Sequence, residues 1–92
     1  MAAAPSIRVL IPSQLIAYTE GATRVEACGA TVDAVLEDLE RRYPGIRFRV
    51  IDEQDRIRRH MRIFVGLDEA RDVARPLAPG DELMIFGALS GG

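Results

Sequence analysis

The chain has 92 residues, 48% of them hydrophobic, with 12 basic and 14 acidic side chains and a net charge of -2. That length supports one small domain burying about 60 to 65% of its unfolded surface, and the interleaved charges exclude the basic footprint of a nucleic-acid or anionic-membrane binder. The apolar runs are too short to cross a bilayer and residues 1–5 lack the regions of a signal peptide, so a cytoplasmic protein with a protein partner is expected.

Ile7, Val9 and Ile11 alternate with Arg8 and Leu10 in a first predicted strand that Pro12 ends. Gln14 to Tyr18 fits a helical turn, Gly21 reverses the chain, and Thr23 to Ala27 forms a second strand and a hairpin. Thr31 stands where an N-cap belongs. Val32, Val35, Leu36, Leu39 and Tyr43 follow at helical spacing, with Asp33 in the first turn and Pro44-Gly45 as the stop. Glu37, Asp38, Glu40 and Arg41 fall off that stripe and read as a solvated face. Ile46 to Asp55 carries no clear pattern.

From Ile57 to Val65 a strand is expected, with Ile57, Met61, Ile63 and Val65 on one side and His60, Arg62 and Phe64 on the other. Gly66 to Glu69 reads as a turn and Ala70 to Val73 as a short pairing segment. Pro79-Gly80-Asp81 then turns the chain into a last strand, Glu82 to Gly87. The simplest compact solution is an α+β fold, a mixed four- to five-stranded sheet on one main helix, with the first and last strands paired in parallel. That is the ubiquitin-like β-grasp. The expected organisation is a flexible N-terminus over 1–6, the β-grasp domain over 7–87 and a flexible tail over 88–92.

Chemistry-bearing clusters are scarce. Cys28 is the single cysteine and His60 the single histidine, which excludes an intramolecular disulfide and gives no pattern for a metal or nucleophile site. All basic side chains are arginine, so the chain has no lysine to accept an isopeptide bond. The distinctive feature is the ending, Ala88-Leu89-Ser90-Gly91-Gly92, on an apolar strand. Glycines without a Cβ fit a narrow channel, and five residues reach about 16 to 18 Å beyond the domain.

The segments IRVLIP, GATVDAVLEDLERRYPGI, RRHMRIFV and LAPGDELMIF and the terminal GG, in that order, resemble the MoaD/ThiS-type sulfur carriers. That family includes the small subunit of molybdopterin synthase and the thiamine- and cysteine-pathway carriers. The likeness extends over nearly the whole chain from Ile7. It implies a protein that is not itself an enzyme and binds no cofactor or metal. An E1-like adenylyltransferase of the MoeB/ThiF type would use ATP and magnesium to adenylate the carboxylate of Gly92. A sulfurtransferase or cysteine desulfurase would supply the sulfur, and a downstream synthase would accept it from the resulting thiocarboxylate. Gly91, Ser90 and Leu89 would thread the tail into the partner. The tail is less proline-rich than many in the family, and Gly66-Leu67-Asp68 stands where an asparagine-containing turn is often found.

Strand parity adds a docking surface. With Leu83 and Ile85 facing the helix, Met84 and Phe86 point outward, joined by Phe64, Arg62 and Leu10. Phe86 alternatively folds under the tail or fills a second small core. Arg58, Arg59 and Arg62 either steer an acidic partner or form a solvated charged strand. Two readings compete with the carrier: a ubiquitin-like protein modifier conjugated through the same diglycine, and a β-grasp interaction module with an inert tail. Fold alone does not rank the carrier against the modifier.

Overall fold

The computed structural model describes residues 4–87. Strand β1 (Ser6–Leu10) runs through the middle of the molecule because Ile7 and Val9 are both fully buried. A 3-10 turn at Ser13–Leu15 then carries the chain round to β2 (Arg24–Cys28). The two strands pair antiparallel, and the Ile11 N–H donating to the Thr23 carbonyl at 2.8 Å extends the hairpin past them. Gly29 follows β2 for a steric reason. A Cβ there would stand 2.5 Å from the Val35 nitrogen, so only glycine lets β2 end against the helix.

Helix α1 (Val32–Arg42) begins as expected at Thr31, whose hydroxyl accepts the Ala34 N–H at 3.1 Å. The first two helical N–H groups are satisfied from far along the chain. Val32 donates to the Arg75 carbonyl and Asp33 to that of Val73, so the segment before the last strand straps the helix to the domain. Val32, Val35, Leu36 and Leu39 are buried against the sheet, and Tyr43 packs at the margin.

The opposite side of α1 departs from the expected solvated face. The Asp38 carboxylate accepts from the Cys28 N–H, Arg41 and Arg42, and the Glu40 carboxylate accepts from the Gly45 and Arg47 N–H groups. Those two acids tie the helix to its neighbours. Glu40 in particular caps a short second helix, α2 (Ile46–Val50), in the stretch where the sequence showed no pattern. Ile46 and Val50 sit one turn apart and are buried, while Arg47 bonds Asp33 at 2.6 Å.

Strand β3 is Met61–Val65, shorter than the expected strand from Ile57. Asp52 explains this. Its carboxylate accepts from the Gln54 and Arg56 N–H groups, closing a turn that sends Ile57 into an isolated bridge with Ile51 instead. Strand β4 is Asp68–Ala70 rather than Ala70 to Val73. The turn needs only Gly66 and Leu67, with Gly66 at φ +60°, the positive value a two-residue hairpin loop favours, so Val65 already faces Asp68. Strand β5 is Glu82–Gly87 as expected.

The sheet order is β2-β1-β5-β3-β4, with β1 and β5 parallel and the other pairs antiparallel. The fold is the ubiquitin-like β-grasp. Both helices belong to the layer that buries one face of the sheet, and the core between holds Ile7, Val9, Leu36, Leu39, Ile63 and Leu83.

Candidate functional site

Strand register decides which side chains share the open face. Leu10 stands opposite Met84, and Met84 opposite Phe64 on the next strand, so the three central strands contribute one apolar row. Arg24 and Glu69 continue the row at either edge. One step toward the end of β5, Phe86 is paired with Arg62. The five side chains expected to dock a partner, Leu10, Met84, Phe64, Phe86 and Arg62, therefore form one contiguous surface.

Their alternating neighbours make the contrast sharp. Leu83 and Ile85 are 0% and 2% exposed, while Phe86 is 50% exposed and Met84, Phe64 and Leu10 are half-buried. Phe64 and Phe86 meet edge to face, with ring centroids 5.6 Å apart and planes at 80°. That packing holds Phe86 upright on the face, with half its surface open to solvent. Arg62 lies beside the pair, 3.6 Å from the Glu69 carboxylate.

Gly87 marks the point from which the chain leaves this face. Gly87, the last described residue, pairs with Met61 and lies against the Gln14 side chain. Leu89, Ser90, Gly91 and Gly92 lie outside the described residues. The chain thus leaves the sheet at the end that carries Phe86, Arg62 and the approach to β3.

Three exposed groups away from this face escaped sequence reasoning. Phe48 on α2 is 56% exposed, with the Arg58 guanidinium 4.4 Å from its ring centroid. Arg49 beside it donates to the Tyr18 hydroxyl at 2.6 Å. Leu67, at the tip of the β3–β4 turn, is almost wholly exposed. Recognising α2 was the missing step, because Ile46 and Val50 inward put Phe48 and Arg49 outward.

The electrostatics divide along the same line. The hydrogen bond from the Cys28 N–H, reinforced by Arg41 and Arg42, holds the Asp38 carboxyl below its usual value. The N–H groups of Arg56 and Gln54 do the same for Asp52, and the hydrogen bond to Asp33 raises Arg47. All three belong to the helical layer and the loop after it. Among the described residues no three His, Cys, Asp or Glu side chains gather into a metal-binding group. What the open face can do is bind a surface and present the chain that leaves it.

The comparisons with known proteins agree with this geometry. The model of the ThiS family matches residues 9–92, a span that includes Gly91 and Gly92. The sulfur carrier protein CysO of Mycobacterium tuberculosis (strain ATCC 25618 / H37Rv) is 35% identical over 92 aligned residues, covering 95% of this chain and 99% of that protein. A chain in the crystal structure of the Amycolatopsis orientalis BexX/CysO complex superposes with a TM-score of 0.88 at 34% identity, covering 94% and 99% of the two chains. SAMP1 of Haloferax volcanii superposes at 0.80 with 26% identity, covering 95% and 99%. With its β-grasp architecture and a match running over the length of the domain, the chain belongs to the ThiS family.

Proposed function

We propose that this protein is a sulfur carrier, a co-substrate rather than a catalyst. The observation that carries the reading is the likeness to the mycobacterial sulfur carrier over nearly the full length of both chains, within a family match that reaches Gly92. The open face supports it, because an exposed aromatic surface lies directly beside the strand that leads to residues 88–92.

The chemistry follows from the weakness of a carboxylate as an electrophile. An E1-like adenylyltransferase of the MoeB/ThiF type would join the Gly92 carboxylate to the α-phosphate of ATP, with magnesium neutralising the phosphates. Pyrophosphate leaves and an acyl adenylate remains. A persulfide sulfur from a sulfurtransferase or cysteine desulfurase then attacks the acyl carbon and expels AMP. Reductive cleavage of the sulfur–sulfur bond by a thiol releases the thiocarboxylate. A downstream synthase takes that sulfur into molybdopterin, thiamine, cysteine or a related metabolite. Leu89 and Ser90 would lie along the partner's channel, with Gly91 keeping the approach to Gly92 narrow. The globular part docks outside through Phe86, Phe64, Met84, Arg62 and Leu10, which offsets the entropy of ordering the tail.

A second reading is protein modification, with the activated Gly92 captured by a target lysine. The superposition on SAMP1 of Haloferax volcanii, a small archaeal modifier protein, favours it. Intact-mass measurement of the protein purified from its native host separates the two. One oxygen replaced by sulfur at the C-terminus is the expected result. Lysine-linked adducts bearing a Gly-Gly remnant would instead identify a modifier, and the unmodified chain alone, in a host that makes the activating enzyme, would overturn both.

A further inference from the structure

The surface of the molecule is electrically polarised along the direction in which β5 runs, from the open face to the sheet edge beside β3. At the end where β5 finishes, Arg58, Arg59, Arg62 and Arg71 line a concavity of about 290 Å³ that contains a single carboxylate, Glu69. Glu69 is stretched between two of them, 3.6 Å from Arg62 and 3.8 Å from Arg71, so the lining of this concavity carries three positive charges in excess on a chain whose total is -2, with Asp55 and Asp72 facing the adjoining concavity on the far side of Arg71. At the end where β5 begins the sign reverses. Glu26, Asp81 and Glu82 surround Arg8 in a second concavity, leaving two negative charges over. The apolar row of Leu10, Met84 and Phe64 lies between the poles.

We propose that this polarity selects and orients the protein partner: the arginine cluster docks on a carboxylate-rich surface beside the partner's active-site mouth, with the apolar row seated next to it. The inference rests on the carrier reading and deepens it by naming the chemistry of the docking surface. Position gives the cluster its purpose. Met61, which lines the same concavity, pairs with Gly87, so the leftover positive charge sits where the chain departs for residues 88–92. Attraction there brings that end of the face to the partner first, and repulsion at the other pole disfavours the reversed approach. A nucleic acid fits poorly, because its phosphates would also meet the acidic pole and the apolar row.

The double variant Arg59→Glu/Arg71→Glu tests this. Arg59 has no carboxylate partner among the described residues and Arg71 is 86% exposed, so the fold tolerates both changes. In ATP–pyrophosphate exchange with the activating enzyme of the same host, the half-saturating carrier concentration should rise about tenfold at low salt. The gap should close in about 0.5 M NaCl, where the Debye length falls to about 4 Å. Equal values for the variant and wild type at low salt would overturn the proposal. Amide NMR with a hexaglutamate peptide reads the surface without any enzyme. Shifts confined to residues 58–62 and 69–71, and lost in the double variant, are expected; shifts elsewhere or none, or an equal response to an oligonucleotide of the same charge, would overturn it. Absence of exchange with the wild-type chain counts against the carrier reading alone, and the peptide measurement then decides the surface.

Discussion

The two faces of the sheet are written in the same strands, one residue out of step, and meet different surroundings. On β5, Leu83 and Ile85 are sealed beneath the helical layer, whereas Met84 and Phe86 look out beside Phe64, Leu10 and Arg62. The covered face is closed by α1 and by the segment that bonds its first N–H groups. The other face has no covering layer among the described residues, so a large aromatic there contributes little to folding and is left free for the docking role proposed above. Period-two alternation lets one short strand serve both purposes, because a change on one side leaves the other in place.

Deleting Gly92 should draw the contrast most sharply. Adenylation is expected to fall to background in ATP–pyrophosphate exchange while the melting temperature stays unchanged; a variant that still accepts sulfur would remove the tail from the mechanism. Leu36→Ala works from the covered side. Leu36 is 1% exposed, and its truncation should cost about 2 to 5 kcal/mol in denaturant unfolding through the cavity it leaves. An unchanged midpoint would show that the helix packs in another register.

Phe86→Ala should divide the other way. A loss of about 1 to 3 kcal/mol in binding to the activating enzyme is expected, against about 1 kcal/mol or less in stability from the edge-to-face contact with Phe64. Equal binding by the variant would place the interface elsewhere. Thr31→Ala removes the hydroxyl that caps α1 and should cost about 1 kcal/mol, with no effect on activation.

The smallest effect is a pH dependence. Asp38 is held below its ordinary pKa by the Cys28 N–H, then by Arg41 and Arg42. The folded state therefore favours its ionised form, and this stability is present above the ordinary carboxylate range. It is lost as pH falls through about 4 toward the depressed value. Asp38→Asn should flatten the stability curve in that window, measured by urea unfolding at several pH values, and a slope equal to wild type would assign it to other carboxylates.

Much of this was legible because local signals agreed. The Thr31 cap, the apolar stripe from Val32 to Leu39, Gly45 at φ +99° after the helix and the Pro-Gly-Asp turn each point to one local structure. The outward parity of Phe64, Met84 and Phe86 was legible for the same reason. Where the reading slipped, the deciding contacts come from elsewhere in the chain. Helix α2 has five residues, too few to be stable alone, and exists because Glu40 caps it from α1 while Arg47 reaches Asp33 and Asp55. The late start of β3 traces to a turn organised by Asp52, which looked like any loop acid. Glu40 and Asp38 themselves were read as solvated because helical spacing says which residues leave the core, not what else they meet.

The sequence by itself determined the alternation that divides the strands, the helix with its cap and stop, the β-grasp order of elements, the family and the glycine ending, all of which reside in neighbouring residues or in motif order. Tertiary structure alone decided that Leu10, Met84 and Phe64 form one row, that Arg71 joins Arg58, Arg59 and Arg62 around Glu69, and that this cluster lies where β5 ends. Those facts depend on strand register, which is set when the whole sheet closes over the core and which no single segment contains.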